Sequence, residues 1–295
     1  MALVGLLLAL QPQHGWRLLL WHGDHRWRAD STAQAQGLQA WARSRELPLL
    51  LDSWERSPEQ RPSEASARAW RYGCLVQRAR QLACGRVVTG HTASDRAETL
   101  LLHLARGSHR RGLASLGRSR LLAPGVELVR PLLGFCRSDT GRICSDLDLP
   151  LWLDSSNQES HFSRNRVRQQ VMPVLESLHP GAARRMARSA QQLAEAELAQ
   201  EELLRLALKD LEIQPPAGGL EPALDRRKLE PLQRANQGQL IQAWLERVGG
   251  RRCAGRILDG VLDRLEERGS AGRVDLGDGW RLHWRPPTLW LSREV

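Results

Sequence analysis

Asp95 and Glu98 stand three residues apart in the stretch Gly90-His91-Thr92-Ala93-Ser94-Asp95-Arg96-Ala97-Glu98, a spacing that puts two carboxylates on one face of a helix. The apolar run Arg86-Val87-Val88-Thr89 ahead of them reads as a strand, the Gly-His pair as a turn, and Thr92 or Ser94 as the helix cap. Ligands of open α/β sheets bind at such strand-to-helix junctions. Carboxylates fixed there can grip a magnesium ion, or an amine nucleophile, over a phosphate seated at the helix N-terminus. They equally suit an ordinary capped amphipathic helix, because first-turn acids answer the helix dipole. Arg106 follows further along the same helix.

The elements that must carry these residues alternate. Residues 2–10, 29–45, 60–83 and 94–106 have helical patterns, while 16–22, 48–52, 86–89 and 127–133 read as short apolar strands. That alternation predicts a parallel sheet covered on both faces. Further helices are expected over 137–147 and 166–178, and one long amphipathic helix from Ala182 to about Leu211. Pro215-Pro216-Ala-Gly-Gly breaks that helix. Beyond it lie helices near 233–248 and 254–267 and short strands around 272–276, 279–284 and 288–292, with Gly277-Asp278-Gly279 as a hairpin signal.

Size and charge narrow the partners. A chain of 295 residues has room for one substantial core and a second, smaller domain. The net charge of +10 suits a polyanion. All but two of the 43 basic residues are arginine, the exceptions being Lys209 and Lys228. Guanidinium favours phosphate and base-stacking contacts, and genomic composition bias accounts for much of the lysine shortage. The five cysteines form no Cys-x-x-Cys pair, which argues against zinc, an iron–sulfur cluster or a disulfide framework and fits a reducing cytoplasm. The apolar opening of the chain lacks the basic residues and cleavage site of a signal peptide, and no apolar run reaches membrane-spanning length. Eleven tryptophans against two phenylalanines and one tyrosine have no functional reading.

Four blocks carry a family resemblance. The first is the stretch 90–107, similar to GHxxDDxxET…RG with Ser94 where the first Asp is usual. The second is His22-Gly-Asp24-His25-Arg-Trp-Arg28, and the third Glu64-Ala-Ser-Ala67-Arg68-Ala-Trp-Arg71-Tyr72. The last runs from Val129-Arg130-Pro131-Leu132-Leu133 through Asp154-Ser-Ser156-Asn157 to Arg164-Asn165-Arg166-Val167-Arg168 and Pro173. In this order, over about residues 1 to 180, they resemble the tRNA(Ile)-lysidine synthases, a family of PP-loop ATP pyrophosphatases.

The resemblance implies an α/β, adenine nucleotide α-hydrolase-like PP-loop domain over 1–180, a connecting helix over 181–214, and a small, mainly helical tRNA-positioning domain with a terminal β element over 215–295. It implies that ATP adenylates the C2 oxygen of the first anticodon cytidine in tRNA(Ile) with a CAU anticodon. Free lysine then displaces AMP, and Mg²⁺ neutralises the departing pyrophosphate. Asp95 and Glu98 would hold the lysine ammonium, or Asp95 the metal. His91 would contact ATP phosphates beside Gly90, Arg71 and Arg68 would stabilise phosphate charge, and His22, Asp24 and His25 would shape the nucleotide pocket. Arg106, Asn157, Arg164, Asn165, Arg166 and Arg168 would face tRNA, where guanidinium forks suit phosphates and splayed bases.

One departure from the family is plain. Its Ser-Gly-Gly-x-Asp-Ser loop, whose backbone N–H groups hold ATP phosphates, is absent here, and the chain opens on residues that in the family follow that loop. The expectation is that the first strand and the loop lie immediately upstream of Met1, so that residues 1–295 alone bind tRNA without adenylating it. Two other readings stand beside the ligase: a catalytically silent PP-loop-derived tRNA-binding protein, and another PP-loop tRNA-modifying enzyme.

Overall fold

The computed structural model describes residues 1–24, 31–55, 63–114, 116–152, 163–267 and 269–293. The chain divides into two compact units, Met1–Glu195 and Ala196–Val295.

The first unit opens on helix α1 (Ala2–His14), which carries Pro12 in its last turn and stops at Gly15 in the left-handed conformation, with the Gly15 N–H donating to the Gln11 carbonyl at 2.9 Å. Strand β1 (Leu20–Asp24), helix α2 (Ser31–Ser44) and strand β2 (Leu49–Ser53) follow, and β1 pairs with β2 in parallel from Leu20↔Leu49 to Asp24↔Ser53. Helix α3 (Glu64–Gln81) starts on a reciprocal cap between Ser63 and Ser66 and leads to β3 (Arg86–Val88) and α4 (Ala93–Ala105). After the short α5 (Arg110–Leu113) comes a hairpin, β4 (Ser119–Ala123) and β5 (Val126–Val129). Strand β5 pairs with β3 in parallel and with β4 antiparallel, giving the order β3-β5-β4. Among the described residues these strands form two separate sheets, of two and three strands.

Two expectations need correction here. The sequence showed no sign of β4, although Pro124-Gly125 supplies its turn with Gly125 at φ 79°. The strand expected over 127–133 ends at Val129, because Pro131 cannot donate to a ladder and a single tight helical turn, Pro131–Gly134, takes over. Helix α6 (Arg137–Asp146) closes this stretch.

Near the end of the unit, the continuous helix expected over 166–178 is interrupted. Helix α7 (Ser163–Arg166) widens into a π turn over Val167–Val171 before α8 (Met172–Leu178). Pro173, at the start of α8, explains the break: its ring clashes with a carbonyl one turn back in a regular helix, and a wider turn relieves that clash. Helix α9 (Ala182–Leu211) then runs through the boundary between the units, its first N–H groups at Ala182 and Ala183 capped by the Glu176 carboxylate.

In the second unit β6 (Glu212–Ile213), β7 (Leu220–Asp225), β8 (Gly272–Gly277), β9 (Trp280–Arg285) and β10 (Thr288–Arg293) form an antiparallel sheet in the order β6-β7-β10-β9-β8. The last three strands are those expected. Strands β6 and β7 were not expected: they flank Pro215-Pro216, which reads as a breaker, and β7 carries Pro222 within it. Helices α10 (Arg226–Leu229), α11 (Arg234–Gly249) and α12 (Gly255–Glu266) pack against the sheet. Their interior is continuous: Trp244, Leu245, Ile241, Leu224, Leu282, Trp284, Leu289 and Leu291 are buried together with Leu208 and Leu211 of α9. Arg226 is buried among them and donates to the carbonyls of Leu265, Glu267 and Ser270, supplying partners that the end of α12 lacks within the helix. No described helix is long and apolar enough to cross a membrane.

Candidate active site

The N-terminus of α4 is fixed before any ligand arrives. The Thr92 hydroxyl accepts the Asp95 N–H at 3.3 Å, and one Asp95 carboxylate oxygen accepts both the Thr92 N–H and the Thr92 hydroxyl at 2.8 Å. The turn after β5 braces the same end: Ala93 N–H donates to the Phe135 carbonyl at 2.8 Å, and Arg137 N–H to the Ser94 hydroxyl at 3.1 Å. Thr92, not Ser94, is therefore the cap, and Asp95 is held rigidly by it.

The other face of Asp95 and the whole of Glu98 meet arginines. Glu98 is only 1 % exposed. Its carboxylate accepts from Arg164 Nε at 3.0 Å and from Arg168 through Nε at 2.8 Å and Nη2 at 3.0 Å. The second Asp95 oxygen accepts from Arg164 Nη2 at 3.0 Å and lies 3.5 Å from an Arg137 nitrogen. Arg164 and Arg168 are four apart, so both reach α4 from one face where α7 enters its π turn. The two arginines expected to face tRNA thus close over the carboxylates, while Arg166 between them is exposed and Asn165 is half-buried. Arg137 joined this cluster without a signal in the sequence.

Electrostatics follow from that packing. Burial alone would raise the Asp95 carboxyl, but the Thr92 N–H and hydroxyl, with Arg164 and Arg137, outweigh it and hold the group below the usual carboxylate range. His91, whose Nδ1 lies 2.9 Å from the Thr89 hydroxyl, is pushed down to about 4 by burial, with Arg130, Arg164 and Arg68 adding to the shift against the pull of Asp95. It is neutral at physiological pH, able to donate from one ring nitrogen and accept at the other.

The remaining sequence candidates sit apart from these two groups or beside them. Gly90 is exposed, and a methyl group placed on it would lie 3.8 Å from the Leu3 side chain, which puts the start of α1 next to this turn. His22 and the buried Asp24 lie at the end of β1, where burial lowers the His22 pKa, Asp24 raises it and Arg71 lowers it. Arg68 and Arg71 are exposed on α3. Arg106 caps the opposite end of α4 from Asp95, roughly 16 Å away at 1.5 Å per residue. His25 and Asn157 lie outside the described residues.

Part of the tryptophan excess finds a structural reason beside β1. Trp54 and Trp70 stack at 5.7 Å, and Trp21 leans on Trp70 while its Nε1 donates to Asp52 at 2.7 Å. A side chain on Gly23 would strike Trp21 and Trp70, so only glycine fits there.

A protein-held magnesium site does not fit this arrangement. Among the described residues no three His, Cys, Asp or Glu side chains converge, and the oxygens of Asp95 and Glu98 are engaged by Thr92 and by arginines.

A PP-loop domain is matched over residues 1–175. The tRNA(Ile)-lysidine synthase of Parasynechococcus marenigrum is 46 % identical over 99 % of this chain and 85 % of its own length. That of Thermosynechococcus vestitus is 41 % identical over 95 % of this chain and 79 % of its own. Among solved structures, the U34-tRNA thiolase NcsA from Methanococcus maripaludis, with its [4Fe-4S] cluster, superposes with a TM-score of 0.53 at 15 % identity, covering 66 % of this chain and 68 % of that one, a likeness of fold alone. Matched along nearly its whole length by such relatives, and bearing their PP-loop domain, the chain belongs to the tRNA(Ile)-lysidine synthase family.

Proposed function

We propose that this protein is an ATP-dependent ligase that joins lysine to C2 of the first anticodon cytidine of tRNA(Ile) with a CAU anticodon. The cytidine C2 oxygen attacks the α-phosphorus of ATP and pyrophosphate leaves. The lysine amine then attacks C2, and AMP departs carrying that oxygen. Adenylation is needed because a urea-like carbonyl oxygen is a poor leaving group. ATP enters as its magnesium complex, with the ion carried on substrate phosphates.

The observation that carries this reading is the braced Asp95–Glu98 pair at the strand-to-helix junction after β3. Its oxygens bind guanidinium cations in this structure, and a lysine ammonium, which presents the same kind of N–H donor, would take the place of an arginine on them. Arg164 and Arg168 orient the carboxylates, and Arg137 adds positive charge beside them. Neutral His91 and the exposed Arg68 and Arg71 suit phosphate contacts. Residues 215–295 would position the tRNA, and the reaction belongs in the cytoplasm, where tRNA matures.

The test uses the protein as expressed from its own gene. Incubated with ATP, lysine and a tRNA(Ile) transcript bearing CAU, it should release AMP and yield a nucleoside whose mass is that of lysidine. AMP release that does not depend on lysine, or a cytidine left unmodified with all substrates present, overturns the reading.

A further inference from the structure

A second cluster of arginines lies outside the acid pair and, among the described residues, has no carboxylate to answer it. Tyr72 on α3 is flanked by two guanidiniums: Arg68, one turn earlier, at 5.1 Å from the ring centre, and Arg120 of β4 at 4.7 Å. Arg130, immediately after β5, is only 3 % exposed. Its Nη1 donates to the Gly117 carbonyl at 2.7 Å, and its buried Nε finds no hydrogen-bond partner. Arg118 is joined to it through the backbone, the Arg130 N–H donating to the Arg118 carbonyl at 2.8 Å. Among the described residues no carboxylate comes within ion-pair distance of Arg68, Arg118, Arg120 or Arg130.

The contrast with the same helix two turns on is instructive. There Arg78 is clamped by both oxygens of Asp52, the ordinary way to settle an arginine beside a sheet. Around Tyr72 the positive charge is left unanswered, and a buried N–H without a partner is a costly arrangement unless a ligand supplies the acceptor. Two neighbouring groups register the resulting field. Burial would raise the Tyr72 hydroxyl, yet Arg68, Arg120 and Arg130 pull it below its ordinary value. Arg130 and Arg68 also add to the lowering of His91. The sequence had placed Arg130 in the Val-Arg-Pro-Leu-Leu block without giving it a role.

We propose that Arg68, Tyr72, Arg120 and Arg130 form a phosphate-binding site beside the carboxyl ends of β3 and β5, distinct from the Asp95–Glu98 pair. Guanidinium forks from Arg68 and Arg120 would take two oxygens of the phosphate, and Arg130 Nε would donate to a third. The inference rests on the ligase reading and deepens it, since both substrates of that reaction bring phosphate: the nucleotide, or the RNA backbone.

The test uses the whole chain and inorganic pyrophosphate as first probe, by titration calorimetry. The paired substitution Arg68→Gln and Arg120→Gln changes exposed residues and leaves the buried Arg130 in place, while Tyr72→Phe removes only the hydroxyl. Pyrophosphate should bind the unaltered chain and bind the paired variant at least tenfold more weakly, with a smaller loss for Tyr72→Phe. Equal binding by the unaltered and paired-variant chains, or no binding by the unaltered chain, overturns the site. Repeating the titration with ATP and with a CAU anticodon stem-loop RNA assigns the source: the substrate whose affinity falls in the paired variant is the one whose phosphate sits there, and a fall for neither also overturns the proposal. Pyrophosphate binding that depends on these arginines in a protein that never forms lysidine would keep the site and discard the ligase.

Discussion

Where the first unit buries Arg96, Glu98 and Arg130, the second buries Trp244, Leu245, Leu282 and Trp284 at equivalent depth. The apolar clusters of the first unit are small and separate, one around Val87, Val126 and Leu128 and another around Ala97, Met172 and Ala183. Those of the second unit merge into one interior, and among the described residues its buried charged side chains are Asp225, paired with Arg227, and Arg226, whose guanidinium nitrogens are spent on helix-end carbonyls and on Glu230. Burying hydrocarbon stabilises by roughly 25 cal/mol per Å² of apolar surface. Burying paired charges returns little net stability while making each partner indispensable to the other. The difference separates two jobs: the second unit is held by packing, whereas the first holds charged groups ready for a substrate and depends on their mutual compensation.

The sharpest way to break that contrast is Glu98→Ala. It leaves the half-buried Arg164 and Arg168 with only the Asp95 carboxylate to share, which should cost about 3–5 kcal/mol of stability. Lysine incorporation should disappear with it. Glu98→Gln keeps the volume and some hydrogen bonds, so it should fold better while remaining inactive. A Glu98→Gln protein with full lysidine-forming activity would remove this carboxylate from the chemistry. In the second unit Leu245→Ala should cost about 2–5 kcal/mol through lost packing alone. Hydrogen exchange would show it as lost protection in α11, α12 and β9, and unchanged protection there would mean that the interior collapses to fill the gap.

Legibility in the sequence divides along the same line. The Asp95–Glu98 pair was visible because a spacing of three fixes a helical face, but its cap was open between Thr92 and Ser94 until the structure selected Thr92. The pairing of these acids with Arg164 and Arg168 was not, because the partners are 66 to 70 residues away and only the fold brings them together. The three C-terminal strands announced themselves through alternation and the Gly-Asp-Gly turn. Strand β7 stayed hidden because Pro222 sits inside it, and a proline in a strand ordinarily argues against one. Tryptophan content was legible only as an excess. In the second unit Trp244 donates its Nε1 to the Pro222 carbonyl at 2.7 Å, an anchor that no pattern of residue types reveals.

A smaller effect sharpens the electrostatic half of the contrast. His91 has its folded pKa lowered from 6.5 to about 4. The unfolded chain therefore takes up this proton first as pH falls, and the native state loses stability through the window from about 6.5 to about 4, beyond which the loss is complete. At about 1.4 kcal/mol per pKa unit, the loss reaches at most about 3.5 kcal/mol. Denaturation midpoints at pH 7.5 and 4.5 should differ less in His91→Gln than in the native protein. An equal pH dependence in the two would show that His91 takes up its proton alike when folded and unfolded.

The smallest effect tests the division of labour within residues 164–168. Arg164 and Arg168 are committed to Asp95 and Glu98, whereas Arg166 points to solvent. A side chain already paired with carboxylates adds little to the release of counterions from RNA, so the salt dependence of tRNA binding should separate the three. Arg166→Gln should leave folding intact, weaken tRNA binding a few-fold, and lower the slope of log affinity against log salt by roughly 0.7 to 0.9, the value of one phosphate contact. Arg164→Gln and Arg168→Gln should instead leave the slope nearly unchanged and reduce stability and lysidine formation, since they undo the compensation of the acid pair. If Arg164→Gln or Arg168→Gln flattens the slope as much as Arg166→Gln does, these arginines leave the carboxylates for the RNA when tRNA binds, and the acid pair is then freed to receive the lysine ammonium at the moment its substrate arrives.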